Sequence, residues 1–158
     1  MQLYTKEQAI RQMNYLGQSC RPFIFIINYQ QDASYIEAVS SVDPAAILYN
    51  LNGFTNQPMF AENNIDFLSR KRLRWQSFPE SLATYQHSFD IVQRNIFAGN
   101  SFLTNLTCRT PVETNLTLKD IYCYSKAMYK LWVRDAFTVF SPEIFIRIYC
   151  CPLKLKRA

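Results

Sequence analysis

The sequence predicts an α+β fold, and three observations carry that expectation. Apolar residues recur at helical spacing in some segments and as short β-branched and aromatic runs in others. The two kinds of segment alternate irregularly, without the steady strand–helix rhythm of a parallel sheet. Hydrophobic residues make up 49% and aromatics 15% of the 158 residues, which suits a packed core and not a disordered chain. No internal repeat is visible. With three glycines, tight turns must draw on Asn, Asp and Pro.

The elements follow in chain order. Thr5 opens a helix with Gln8 three residues on, a capping-box pattern. Ala9, Ile10, Met13 and Leu16 form its apolar stripe, and Gly17 supplies the stop. Pro22 to Tyr29 is apolar, β-branched and aromatic, so it reads as a strand buried on both faces. Residues Ala33 to Ser40 read as a short helix. Asp43-Pro44 marks a turn, Ala46 to Tyr49 a short strand, and Asn50 to Phe54 another turn. Thr55 to Glu80 is a polar surface connection with a short strand near Leu73 to Trp75.

A second long helix starts near Ser81. Tyr85, Phe89, Val92 and Ile96 share one of its faces, and Gly99 ends it. Ser101 to Cys108 is expected as a strand. Phe102, Thr104 and Leu106 lie on one side and Leu103, Asn105 and Thr107 on the other. Thr117 caps a third helix to about Leu131, with Ile121, Tyr124 and Met128 as its stripe. Phe137 to Phe140 and Ile144 to Tyr149 form a strand pair around Ser141-Pro142-Glu143.

Composition sets aside several function classes. Net charge is +5, but Arg70, Lys71, Arg72, Arg74, Lys154, Lys156 and Arg157 carry it. The rest holds ten basic and twelve acidic side chains. Two short basic patches are not the basic, aromatic-laced face of a nucleic-acid reader. No apolar run reaches the length of a membrane span. Lys6, Glu7 and Arg11 interrupt any signal-peptide core, so a cytoplasmic protein is expected. The five cysteines are Cys20, Cys108, Cys123, Cys150 and Cys151. Their odd count and lack of metal-ligand spacing read as reduced thiols. With His87 as the sole histidine, a Cys/His zinc site is not expected. Asn105-Leu-Thr107 and Asn115-Leu-Thr117 match the glycosylation sequon by chance in a chain that is not secreted.

Two residues could carry chemistry. Glu143 puts a carboxylate at a turn between two apolar strands. Partial desolvation there favours the protonated form, as a general acid needs. A turn carboxylate in water, or paired with Arg147, is the alternative. Asn105 is a strand amide that can offer two donors and an acceptor to a ligand. It can equally satisfy a neighbouring backbone group.

Ser141-Pro142-Glu143 and Asn105-Leu106-Thr107 resemble the SPE and NLT strand motifs of the chorismate-utilising enzymes. The match is best with component I of aminodeoxychorismate synthase (para-aminobenzoate synthase). The Phe23-Ile24-Phe25-Ile26-Ile27 run and the Leu48-Tyr49-Asn50-Leu51-Asn52-Gly53-Phe54 segment are also similar to the openings of its short forms. The resemblance spans about residues 2 to 148. It implies one half of that family's fold, with mixed and antiparallel sheets and flanking helices. Residues 1–148 would then belong to the chorismate-binding domain and 149–158 to a tail outside the family pattern.

What the resemblance implies for the whole enzyme is specific. Chorismate and ammonia give 4-amino-4-deoxychorismate, on the route to folate. Magnesium holds the substrate, and a glutamine amidotransferase, component II, supplies ammonia. Glu143 would protonate the departing C4 hydroxyl, and Asn105 would face the substrate. Isochorismate and salicylate synthases carry a water-activating lysine at the place of Leu103, so a water-adding enzyme is disfavoured. Tyr129 to Phe137 lacks the NPSPYM-like block of anthranilate synthase component I, the nearest competitor.

After Tyr149 the pattern departs. The family continues into a PMKGT-like motif whose lysine attacks C2 of chorismate. Lys154 and Lys156 are not in such a motif, and the paired magnesium glutamates lie further on in the family. An inactive fragment without bound magnesium is therefore expected, through early termination, a shifted frame or a gene-boundary error. A non-catalytic α+β module that binds a protein partner is the rival from another class.

Overall fold

The computed structural model describes residues 2–57 and 72–141. The fold is α+β, with three α-helices and small antiparallel sheets among the described residues. It divides into two compact units, Met1–Asn63 with Leu118–Ala158, and Asn64–Thr117.

In the first unit, α1 spans Lys6–Gln18. The Thr5 backbone N–H donates to Gln8 Oε1 at 2.9 Å, and the Gln8 N–H reaches back to Thr5 Oγ1, completing the expected capping box. Ala9 and Leu16 are buried, while Ile10 is exposed rather than part of the stripe. The helix does not stop at Gly17. Arg21 N–H donates to the Leu16 carbonyl and Cys20 N–H to that of Gly17, a Schellman ending. Its left-handed residue is Cys20, at φ 51°.

Strand β1 (Phe23–Ile27) pairs antiparallel with β2 (Ser34–Ala38). The helix expected over Ala33 to Ser40 is thus a strand. All five of its residues pair with β1, and Ser34, Tyr35, Ile36 and Ala38 are buried. Tertiary pairing outweighs local preference here. The strand covered on both faces is β2, not β1. Tyr35 joins a cluster with Val42, Ile47, Tyr49 and Val133, while Ile36 and Ala38 join Ala9 and Leu16. Phe25 and Ile27 of β1 are exposed.

A four-stranded sheet completes this unit, in the order β4-β3-β7-β8. It comprises β3 (Ile47–Leu51), β4 (Phe54–Thr55), β7 (Tyr129–Val133) and β8 (Phe137–Ser141). Asn52 and Gly53 both take positive φ, 54° and 93°, as a two-residue type I′ hairpin requires. Helix α3 covers only Leu118–Tyr124, and its buried residue is Tyr122. The expected continuation to Leu131 fails because Tyr129–Val133 pairs with β3 on one side and β8 on the other. Leu48, Tyr122 and Trp132 form the third apolar cluster.

In the second unit, β5 (Trp75–Ser77) and β6 (Val112–Thr114) form a two-stranded ribbon. β5 falls two residues beyond the expected strand. Helix α2 runs over Leu82–Phe97, N-capped by Ser81, whose Oγ accepts from Thr84 N–H at 3.1 Å. It ends as expected, with Gly99 at φ 75°.

Residues Ser101 to Cys108 are not a strand among the described pairings. Ser101 Oγ donates to the Leu103 carbonyl at 2.8 Å, and Thr104 Oγ1 donates to Ser101 Oγ at 3.3 Å. Such local side-chain bonds compete with a strand ladder.

Candidate functional site

Glu143, with Pro142 and the strand expected over Ile144 to Tyr149, lies outside the described residues. So do Lys154 and Lys156, and Arg70 and Lys71 of the first basic run. What the structure does place is Ser141, the first residue of the SPE motif. It closes β8 and pairs with Tyr129 of β7, which pairs on its other side with Leu51 of β3. Leu51, Tyr129 and Ser141 thus form one row across the sheet. Asn52 N–H donates to the Met128 carbonyl at 2.8 Å, tying the hairpin turn to that row. Two segments far apart in sequence, Leu48–Phe54 and the start of SPE, are delivered to the same sheet end.

Toward the opposite, Ile47 end of β3, the sheet edge is held by side chains that mimic backbone. Asn56 Nδ2 donates to the Ile47 carbonyl at 2.9 Å, and its Oδ1 accepts from Tyr49 N–H at 3.0 Å. One amide thereby continues the β3 edge beyond the two-residue β4. The Thr55 hydroxyl donates to the Tyr49 carbonyl at 2.6 Å.

Asn105 belongs to the second unit and is exposed. Leu103 is exposed as well. In the same unit, Arg72, Arg74, Trp75, Gln76 and Glu113 line an open groove of about 1040 Å³ along the β5–β6 ribbon. Asn115 shapes it. Its Oδ1 accepts from Arg74 N–H and its Nδ2 donates to the Arg72 carbonyl, both at 3.0 Å. Asn115 therefore serves as a backbone clamp. The pair Gln76↔Glu113 puts a carboxylate on the groove beside the arginines, so its lining is of mixed charge.

The sequence reading missed Lys130, a buried cation of β7. Its Nζ donates to the carbonyls of Tyr122 and Ser125, both at 3.0 Å. Those carbonyls close the C-terminal end of α3, where a cation is favoured. A lysine inside an aromatic strand run, Tyr-Lys-Leu-Trp, was the signal for it.

The thiols bear on nucleophilic chemistry. The Cys108 thiol is pushed up, first by its hydrogen bond to Glu80 and then by desolvation. Burial pushes up that of Cys123, only partly offset by Lys119 and Lys130. A reactive cysteine needs the opposite shift. Among the described residues, no three His, Cys, Asp or Glu side chains gather to hold a metal ion. No described helix is long and apolar enough to cross a membrane.

Comparison with known proteins gives two relatives. The chain is 34% identical over 150 residues to an uncharacterized PabA-like protein of Pasteurella multocida, covering 92% of this chain and 45% of that protein. It is 32% identical over 146 residues to an uncharacterized PabA-like protein of Haemophilus influenzae, covering 92% of this chain and 42% of that one. The chain therefore spans less than half the length of the curated relatives it matches. No family model matches, and no solved structure does.

Proposed function

We propose that this chain is the N-terminal part of component I of an aminodeoxychorismate synthase. The PabA-like names of both relatives point toward para-aminobenzoate synthesis. The observation that supports component I is the shared row of Leu51, Tyr129 and Ser141. It brings the Leu48–Phe54 segment and the start of SPE, two motif-bearing stretches of that component, to one sheet end. Residues 1–148 are assigned to the chorismate-binding domain, and 149–158 to a tail outside it.

In the whole enzyme, magnesium would supply the positive charge that holds the substrate carboxylates. From this chain, Glu143 would give its proton to the departing C4 hydroxyl, and Asn105 would offer its amide to the substrate. Component II, the glutamine amidotransferase, would be the partner that delivers ammonia.

A second reading takes the relatives' names at face value and makes the chain part of a PabA-type amidotransferase. That chemistry needs an activated thiol. Among the described residues, the Cys108 and Cys123 thiols are raised, the direction opposite to activation.

The test is an assay of this chain fused to the remainder of the Pasteurella relative. Loss of chorismate with ammonium and magnesium is expected. Glu143→Gln should still bind chorismate but lose about 10²–10⁴-fold in turnover, the usual worth of a general acid. Glutamine hydrolysis without chorismate turnover would transfer the chain to the amidotransferase component.

A further inference from the structure

Strand β5 is an edge with a defined register. It pairs with β6 and with no other described strand. Phe78 N–H donates to the Pro111 carbonyl at 2.9 Å, and Arg74 N–H donates to Asn115 Oδ1 at 3.0 Å. The Arg72 carbonyl accepts from the same Asn115 amide. The main-chain groups of Arg72, Arg74 and Phe78 therefore point toward β6. In an antiparallel pair these groups alternate along the strand, so the N–H and C=O of Leu73, Trp75 and Ser77 point to the open side. None of them has a hydrogen-bond partner among the described residues. A row of such groups is a template for one more strand.

The side chains decide which strand fits. Arg72, Arg74 and Gln76 alternate along one face, with Glu113 opposite Gln76. Both arginines are exposed, and neither has a carboxylate partner among the described residues. Leu73, Trp75 and Val112 are exposed as well, and Leu73 and Trp75 belong to the other face. Charges on an edge bar an apolar or basic strand, but they admit an acidic one. Alternate residues of a strand lie about 7 Å apart. Carboxylates at alternate positions of an added strand thus meet the two guanidinium groups, which favour bidentate pairing. The apolar residue between them falls on the Trp75 side.

The same chemistry disfavours other occupants. A second copy of β5 would gather four of these arginines, which like-charge repulsion opposes. A single-stranded nucleic acid needs aromatic and basic side chains on one shared surface. Here Trp75 stands on the face opposite the arginines, and a carboxylate, Glu113, shares their groove.

We propose that the open β5 edge is a docking site for an extended acidic segment of a separate protein. The segment adds as a third strand, with alternate Asp or Glu side chains against Arg72 and Arg74. This rests on the ribbon's register and charge, and not on chorismate chemistry.

The probe is a fluorescein-labelled octapeptide of alternating Glu and Val, titrated into the full 158-residue chain. Saturable anisotropy is expected, weakening as salt rises. A peptide with Gln in place of Glu should bind about tenfold more weakly or worse. The Arg72→Gln/Arg74→Gln variant should lose as much toward the original peptide. Ser77→Pro removes one outward N–H at an edge position where proline is tolerated, and it should also weaken binding. Residue-resolved hydrogen exchange should slow at the Leu73, Trp75 and Ser77 amides on binding, with β3 and β7 amides unchanged. No saturable binding overturns the proposal, as does binding indifferent to the arginine variant or to Gln for Glu. Binding that ignores Ser77→Pro and leaves the three amides unprotected overturns strand addition. Displacement of the peptide by oligothymidylate would make the groove a nucleic-acid site. Slowing of the same amides that grows with the chain's own concentration, without peptide, would make the occupant a second copy. Either of these results overturns the acidic segment.

Discussion

Lys130 holds its ammonium 4.7 Å from the ring centre of Tyr122 while donating to the carbonyl oxygen of that same residue at 3.0 Å. One side chain thus pins strand β7 to the end of helix α3 by a charge-assisted hydrogen bond and a cation–π contact. The Ser125 carbonyl takes another of its protons. The cation is buried, but its donors are directed at acceptors that the helix end leaves free.

Lys130→Met should therefore destabilise the chain by about 2 kcal/mol, the range for losing hydrogen bonds to a charged donor. Methionine keeps most of the stem volume, so the loss reports the ammonium and not a cavity. Urea unfolding followed by fluorescence would measure it. An unchanged midpoint would show that water replaces the ammonium at the α3 end.

Cys20 occupies the left-handed position of a Schellman turn, where Gly99 does the same work after α2. A side chain there costs roughly 1 kcal/mol or slightly more. Cys20 is exposed, so its replacement removes no packing. Cys20→Gly is expected to stabilise by roughly 0.5 kcal/mol, the strain relief less the glycine's extra chain entropy. Cys20→Ala should give no such gain. A thermal-melt comparison of the two variants separates strain relief from simple loss of the thiol.

Asn115 bonds to both Arg72 and Arg74 through one amide. Asn115→Ala should free the 72–74 segment at a cost of about 1–2 kcal/mol to ribbon formation. Its clearest sign is faster exchange of the Arg74 amide, with β3 and β7 amides unaffected. Asn115→Asp should retain the Arg74 bond and lose the one to Arg72, giving an intermediate exchange rate.

The parts of the fold legible in sequence were those written by local chemistry. The Thr5–Gln8 capping box, the Asn52-Gly53 hairpin turn, the Ser81 cap and the Gly99 stop each depend on residues within a few positions of one another. Ser34–Ala38 and Tyr129–Val133 were misread because their state depends on partners far along the chain. Helical spacing in a short aromatic run cannot reveal a strand that needs β3 and β8 on either side. Phe23–Ile27 has the composition of a central strand, yet Phe25 and Ile27 face outward. Of the two candidate site residues, Glu143 lies outside the described residues. Asn105 is exposed on a segment outside the described strands, where the Ser101 hydroxyl bonds locally to the Leu103 carbonyl. Ser141 is placed by its pairing with Tyr129, in a segment read as helix, and the hairpin expected around Ser141-Pro142-Glu143 lies outside the described residues. Lys130 was overlooked because its partners are helix-end carbonyls, which no side-chain motif announces.

Tyr35 and Tyr122 give the pH prediction. Burial pushes both phenols up to about 12, with Glu37 and Asp43 adding to the effect at Tyr35 and Cys123 at Tyr122. In the unfolded chain a tyrosine titrates near about 10. Between these values the folded state binds more protons than the unfolded one, so stability falls as pH rises. The contribution is whole below about pH 10 and is lost as pH climbs through about 12. The raised Cys108 and Cys123 thiols and Tyr49 and Tyr124 phenols act in the same direction, so stability measured from about pH 8 to 11.5 should decline progressively, and the share of Tyr35 and Tyr122 enters above about pH 10. The Tyr122 hydroxyl is buried without a hydrogen-bond partner. The Thr55 hydroxyl, which lowers its pKa slightly, already gives its proton to the Tyr49 carbonyl. Tyr122→Phe should then remove an unpaired polar atom and stabilise by up to about 1 kcal/mol at neutral pH. It should also reduce the slope above about pH 10 by up to about one proton. A variant less stable than the parent at pH 7, or one with the parent's full alkaline slope, would show that the hydroxyl has a partner and that its proton is not what high pH removes.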